Sequence, residues 1–246
     1  MKSGSRPTDQ MPTYPERSVQ SLSGGDWWIR EESADIRRGR LVWAFIPHVG
    51  AEPWILELTG RTNPTTHSSV TYTLRSQSAF RPQTQPNLPT AVFPAFENEH
   101  LTAYRAKCRP ALVISTGGLD VPNEVRKGSA KWVTAQTILV APYYGMGQSG
   151  KRGGWPLPLV DRIKECEYPQ FIWDIVPAKR EPEESVLMLN RVQPIGNHRN
   201  SVEILPYCLS EAAILLLDEW VNWLTTGLME GDGLLPEIQK ELKGLS

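Results

Sequence analysis

Lys107-Cys108-Arg109-Pro110-Ala111-Leu112-Val113-Ile114-Ser115 sets a basic, proline-marked turn in front of an unbroken apolar run. The run is short enough to be one strand, and its β-branched residues favour a strand buried on both faces. Pro110 fixes the local backbone and biases Arg109 toward an extended conformation. An arginine is thereby held at the lip of a core strand, and the rest of the fold reads outward from it.

Upstream, Arg38-Gly39-Arg40 leads into Leu41-Val42-Trp43-Ala44-Phe45-Ile46, which Pro47 stops. That is a strand with a turn at each end. Downstream, past Gly117-Gly118, Trp132-Val133 and Gln136-Thr137-Ile138-Leu139-Val140-Ala141 read as a second buried strand, ended by Pro142-Tyr143-Tyr144. Gln170 to Val176 and Ser185 to Leu189 are two more strand candidates, separated by the charged turn Lys179 to Glu184. The last third changes period. Ser210 is a plausible N-cap, and Leu209, Ala213, Leu216, Trp220, Trp223 and Leu224 recur at helical spacing, so an amphipathic helix is expected over 209–227 and a short one over 236–243.

The remaining stretches have a different texture. Residues 1–26 are rich in Ser, Pro, Gly and charge, and read as a flexible tail pinned at most by Trp27 and Trp28. Between Pro53 and Arg105 repeated prolines break the pattern, and only Val70-Thr71-Tyr72-Thr73-Leu74 alternates like a strand; this reads as a long insertion between the first two core strands. The fold class expected is mainly β (α+β): a single domain over 27–246, a small barrel or twisted antiparallel sheet of about five to seven strands closed by the C-terminal amphipathic helix.

Composition bounds the function. A chain of 246 residues with 40% hydrophobic and 22% charged residues can bury a sizeable core. No window approaches the roughly 18 consecutive apolar residues of a membrane span, and the first residues lack the apolar stretch of a secretory signal, so a cytoplasmic location without membrane contact is expected. Cys108, Cys166 and Cys208 are odd in number and lack CxxC spacing, and His67, His100 and His198 show no ligand spacing with them; no metal and no cofactor are expected. The formal net charge of −1 gives no global pull toward nucleic acid, so a polyanion site would have to arise from local clustering.

Several stretches together resemble the MazF, PemK and Kid family of toxins, the SH3-like barrels of type II toxin–antitoxin pairs. They are Arg38 to Trp43 with Pro47 to Glu52, Arg109 to Ser115, Ile138 to Pro142, Tyr168 to Phe171, Ser185 to Val192, and the helix from Leu209 to Gly227. They cover somewhat over half the chain, in family order. The N-terminal extension and the insertion at 53–105 depart from the family's compact length. The resemblance implies an SH3-like barrel and a metal-independent endoribonuclease on single-stranded RNA, in which the ribose 2′-hydroxyl attacks the adjacent phosphate. It also implies a homodimer and a cognate antitoxin as partners. A catalytically inactive barrel that binds RNA or a protein is the alternative.

The same resemblance assigns roles. The arginine before the proline, Arg109, stabilises charge on phosphate and moves a proton, a task for which a planar, bidentate guanidinium is suited. Where the family carries a threonine or serine, this chain has Tyr144, whose hydroxyl can donate to a phosphate oxygen but is larger and sits further from the backbone. Glu52 matches the acidic residue after the first strand, and Arg191 replaces a polar position, commonly glutamine, in a later strand. His48, on the turn before Glu52, could pair with it as acid and base, because imidazole titrates near neutrality. Arg40, Lys107, Lys151, Arg152 and Arg191 are the expected RNA-backbone contacts. Gly145 to Arg152 nearly spells a GxxxxGK phosphate loop, but Arg152 replaces the magnesium-binding hydroxyl residue, and Gly153 to Pro158 does not read as the helix the loop needs.

Overall fold

In the computed structural model of the chain the described residues are 11–60, 63, 65, 70–76, 100–129, 134, 136–147, 154–179, 181–197 and 200–244. In chain order the elements are α1 (Val19–Leu22), β1 (Trp28–Arg30), β2 (Arg40–Pro47), β3 (Trp54–Gly60), β4 (Thr71–Arg75), β5 (Leu101–Ala103), β6 (Ala106–Ser115), β7 (Thr137–Gly145), α2 (Leu157–Lys164), β8 (Phe171–Val176), β9 (Glu183–Met188), β10 (Gln193–Gly196), β11 (Val202–Leu209), α3 (Glu211–Thr226) and α4 (Leu234–Leu242). A single turn of 3-10 helix, Leu189–Arg191, lies between β9 and β10. The fold is mainly β. The chain divides into two compact units, Met1–Phe45 with Cys108–Ser246, and Ile46–Lys107.

In the first unit the strand order is β1-β11-β2-β6-β7-β9-β8, with β10 also pairing β7. No ladder joins β1 to β8 among the described residues, so the path of pairings is open. The apolar run that follows Pro110 becomes the centre of the sheet because nothing in it needs water: Ala111, Leu112 and Val113 are fully buried. β7 runs antiparallel to it, with Ala111 opposite Pro142 and Val113 opposite Val140. At the β6 to β7 connection Gly117 has φ +82°, and a side chain there would run into the carbonyl of Thr137.

α3 is positioned by its ends and its apolar stripe. The Ser210 hydroxyl accepts from the Ala213 N–H at 3.2 Å, and Gly227 closes the helix in the left-handed conformation, its N–H donating to Trp223 O at 2.8 Å. Ala213, Leu216, Leu217 and Trp220 drop into a core shared with Leu41, Leu112, Tyr207 and Leu209. Each of these leucines contributes about 1.5–3 kcal/mol by leaving water. A second core cluster, Met146, Val160, Ile163, Trp173, Val186 and Met188, seats α2 against β8 and β9.

Four expectations change. The tail expected over 1–26 is partly packed: the Tyr14 hydroxyl donates to Asp174, α1 is capped by Ser18, and Val19 and Gln20 are buried. The stretch expected to hold one strand at 70–74 carries a three-stranded antiparallel sheet, β4-β3-β5, with Leu56 opposite both Leu74 and Leu101. β11 was hidden by its own Pro206 and by the helical spacing that begins at Leu209, which ends the strand instead of starting the helix. A helix does follow the glycine-rich stretch, α2, which begins at Leu157, beyond Arg152. No helix among the described residues is long and apolar enough to cross a membrane.

Candidate functional site

Three of the residues singled out in the sequence come together in the first unit. Arg109 lies on β6, Tyr144 near the end of β7 and Arg191 in the 3-10 turn after β9. The Arg109 guanidinium carbon sits 4.0 Å from the centroid of the Tyr144 ring, and that of Arg191 lies 5.2 Å from the same centroid. Arg191 Nη1 also donates to the Tyr144 hydroxyl at 3.1 Å. All three side chains are half-buried.

The electrostatics of this cluster are one-sided. Burial lowers the pKa of Arg109 from its ordinary value; the Tyr144 ring and hydroxyl oppose that shift, and the like charge of Arg191 adds to it. Both guanidinium groups stay cationic, because arginine does not release its proton in proteins. Among the described residues no carboxylate pairs with either of them. Arg109 Nε is buried and has no hydrogen-bond partner among the described residues. Two cations are therefore held beside one aromatic ring with nothing to neutralise them. Since Arg191 donates to the Tyr144 oxygen, the phenolic proton is free to point away from Arg191.

The other expected site residues have different fates. Arg40 is 0% exposed, so it cannot contact RNA: its Nη1 donates to Glu31 O at 2.9 Å, and its Nη2 lies 3.1 Å from Glu31 Oε1, close enough for an ion pair though not aligned as a hydrogen bond. It is a structural arginine that ties β2 to the segment after β1. Lys107, His48 and Glu52 belong to the other unit, where His48 N–H donates to Arg105 O at 2.8 Å and Lys107 and Glu52 are exposed. Lys151 and Arg152 lie outside the described residues. The thiols are poor nucleophiles: burial pushes Cys166 up to about 12 and raises Cys108 and Cys208.

No family model matches the chain, and no curated protein matches it. The chemistry of the site therefore rests on its own geometry.

A second polar cluster was not anticipated. Asp174, in the middle of the apolar strand β8, is 1% exposed and accepts four hydrogen bonds: at Oδ1 from the Tyr14 hydroxyl (2.7 Å) and Trp28 Nε1 (3.3 Å), at Oδ2 from the Tyr143 hydroxyl (2.8 Å) and Trp27 Nε1 (3.2 Å). No cation faces it. Burial pushes its carboxyl above the usual carboxylate range while the four donors pull the other way, and Tyr14 and Tyr143 are raised by burial and by the carboxylate. The signal available in the sequence was the lone acid inside Phe171-Ile172-Trp173-Asp174-Ile175-Val176. Its partners lie 31 to 160 positions away along the chain, too far for any local pattern to show.

Proposed function

We propose that the chain is a MazF/PemK-like protein whose Arg109–Tyr144–Arg191 cluster holds a phosphodiester of single-stranded RNA. The observation that carries this reading is the pair of unneutralised guanidiniums on one tyrosine ring. A ligand with one or two negative oxygens would satisfy Arg109 Nε and both charges at once, and guanidinium matches phosphate geometry bidentately. The phenolic hydroxyl supplies one more donor. In the cleavage reaction, charge accumulates on the non-bridging oxygens as the 2′-hydroxyl attacks, and donors already fixed in a half-buried site stabilise that charge without reorganising. In this reading the sheet is an elaborated SH3-like barrel, and the chain acts in the cytoplasm as a homodimer restrained by an antitoxin.

Cleavage of single-stranded RNA by the purified protein in the presence of EDTA, giving a cyclic phosphate and a 5′-hydroxyl, is the expected result, with Arg109→Ala reducing it by about a hundredfold or more. Full cleavage by a folded Arg109→Ala variant overturns the reading. A second reading has its own support: Tyr144 stands where a small hydroxyl serves the family's chemistry, and its ring is engaged by both arginines. Here the site binds RNA without cutting it. Retained RNA binding with no cleavage in EDTA selects this second reading, and a gain of cleavage in Tyr144→Thr shows that the tyrosine alone separates the two.

A further inference from the structure

Residues 11–28 wrap a cavity of about 270 Å³ whose walls include Tyr14, Gln20, Ser21, Asp26, Trp27 and Trp28. Of the polar groups on its lining residues, the donors of Tyr14, Ser21, Trp27 and Trp28 are engaged and two acceptors are not. Gln20 is 1% exposed, and its amide is oriented by Nε2 donating to Trp173 O at 2.5 Å, which leaves Oε1 buried without a hydrogen-bond partner. The donors that could have answered it are committed elsewhere. Both indole N–H groups and the Tyr14 hydroxyl are turned onto Asp174, and the Ser21 hydroxyl donates to Pro15 O at 2.8 Å. Asp26 adds an exposed carboxylate with no hydrogen-bond or ion partner among the described residues. Among the described residues no lysine, arginine or histidine lines the cavity. Thr13, also on the wall, carries a hydroxyl that can accept as readily as donate.

We infer that this cavity is a binding site for a primary alkylammonium group, the chemistry of a lysine side chain or a small free amine. An ammonium is a donor with no acceptor, so it complements a cavity whose unsatisfied polar atoms are an amide oxygen and a carboxylate. A buried unmet acceptor is costly, so the site gains from any ligand that meets it. Trp27 and Trp28, 4% and 1% exposed, back the cavity wall with indole edges against which an alkyl stem and a cation can rest. Asp26 supplies the countercharge that keeps the bound cation from being desolvated alone. An anionic or acceptor-only ligand would face two like groups and is excluded on the same grounds. The site stands apart from the arginine cluster and does not depend on the RNA reading.

The test follows the nitrogen–proton indole resonances of Trp27 and Trp28 in the full chain during titration with n-butylamine hydrochloride, with Nα-acetyl-lysine methylamide and with 1-butanol, at constant pH and ionic strength. Saturable shifts with the ammonium compounds and none with butanol are expected. Binding of both ammonium probes supports the site and points to free amines as well as protein lysines; binding of the lysine amide alone supports it and points to a lysine on a partner chain. Asp26→Asn, a surface change that leaves the fold intact, is expected to weaken binding about tenfold. Gln20→Met, which removes the orphan acceptor at similar length, is expected to weaken it by a similar factor. An equal response to butanol, no saturable response to either ammonium probe, or unchanged affinity in Asp26→Asn overturns the inference and leaves a cavity whose acceptors are met by water.

Discussion

Tyr143 and Tyr144 follow one another in β7, and the alternation of a strand sends their rings to opposite faces of the sheet. On one face the Tyr143 hydroxyl donates to the Asp174 carboxylate, an anion with four neutral donors, no cation and no access to water. On the other face Tyr144 lies under two cations with no anion, half open to solvent. Both clusters hold uncompensated charge, but they hold it differently. Asp174 has its hydrogen bonds filled from within the protein, by groups on three separate stretches of chain, so its job is to fasten those stretches together. Arg109 and Arg191 are half open to solvent and meet no carboxylate among the described residues, so a countercharge for them would come from outside. Access to solvent and the lack of a countercharge, not the presence of charge, separate the half-exposed arginine pair from the buried carboxylate and from Arg40, which is closed off beside Glu31.

The sharpest way to break that comparison is to remove the charge on each side. Asp174→Ala would orphan four donors in the core, two of them on indoles that cannot re-aim, and is expected to cost about 3–5 kcal/mol, read as a shift of the urea midpoint. That is a large part of the 5–15 kcal/mol by which an ordinary domain is stable, so cleavage of the 11–28 segment by a protease should accelerate as well. Loss of under about 1 kcal/mol would show that Asp174 does not fasten these segments. Arg109→Ala, in contrast, should leave the urea midpoint in place, because the side chain meets no carboxylate and faces a like charge. Its effect belongs to binding: affinity for a short single-stranded RNA should fall about tenfold to a hundredfold, with the salt dependence reduced by roughly one phosphate contact. An Arg109→Ala variant that loses stability but keeps its affinity would place the arginine with Arg40, among the structural ones.

That contrast between two arginines also shows how far the sequence could be read. Arg40 and Arg109 both stand at the mouth of an apolar strand, and both were expected at the RNA. Local pattern located the strands correctly, because 41–46, 111–114 and 138–141 are unbroken apolar runs, although only 111–114 is buried on both faces while Phe45 and Leu139 are exposed. It could not tell which arginine turns inward, because that depends on Glu31, directly after β1, and on the Leu205 carbonyl from a remote part of the chain. The grouping of Arg109, Tyr144 and Arg191 was legible only as a correspondence of positions, and register makes it physical: Ala111 opposite Pro142 carries Arg109 to the level of Tyr144 on the neighbouring strand. Short strands such as β1 and β10 left no signal, since three or four residues hold too little alternation to count.

Acidity offers a smaller effect that again touches one cluster alone. Burial raises the Asp174 carboxyl above its unfolded value, so between those two values the native state binds the proton more readily than the unfolded chain does. Stability contributed by this group is therefore complete below the ordinary carboxylate value of about 3.9 and is lost as the pH rises through the raised native value, with a slope of at most about 1.4 kcal/mol per pH unit. Urea midpoints of the wild type and Asp174→Asn, measured from about pH 4 to pH 8, should differ most in how steeply they change over the acidic part of that range, the variant being flatter. Phosphate binding at the arginine cluster should show no such step from Asp174. Parallel stability profiles for the two proteins would mean that the four donors, not burial, set the acidity of Asp174.

The finest test compares the two neighbouring tyrosines by removing one oxygen from each. Tyr143→Phe takes away a fully buried donor and leaves Oδ2 of Asp174 with only the Trp27 indole, so a loss of about 1–2 kcal/mol in unfolding free energy is expected. Tyr144→Phe keeps the ring that both guanidiniums contact and deletes only the acceptor of the Arg191 bond, which solvent can replace at this half-exposed position; the expected loss is under about 0.5 kcal/mol. On RNA affinity the order should reverse, with Tyr144→Phe weaker by a few fold and Tyr143→Phe unchanged. Equal stability losses in the two variants would mean that Tyr144 is held as firmly as Tyr143, and that its hydroxyl is as much a part of the scaffold as the one facing Asp174. The reversed pair of effects would assign the two faces of a single strand to two separate tasks, one holding the fold and one meeting the ligand.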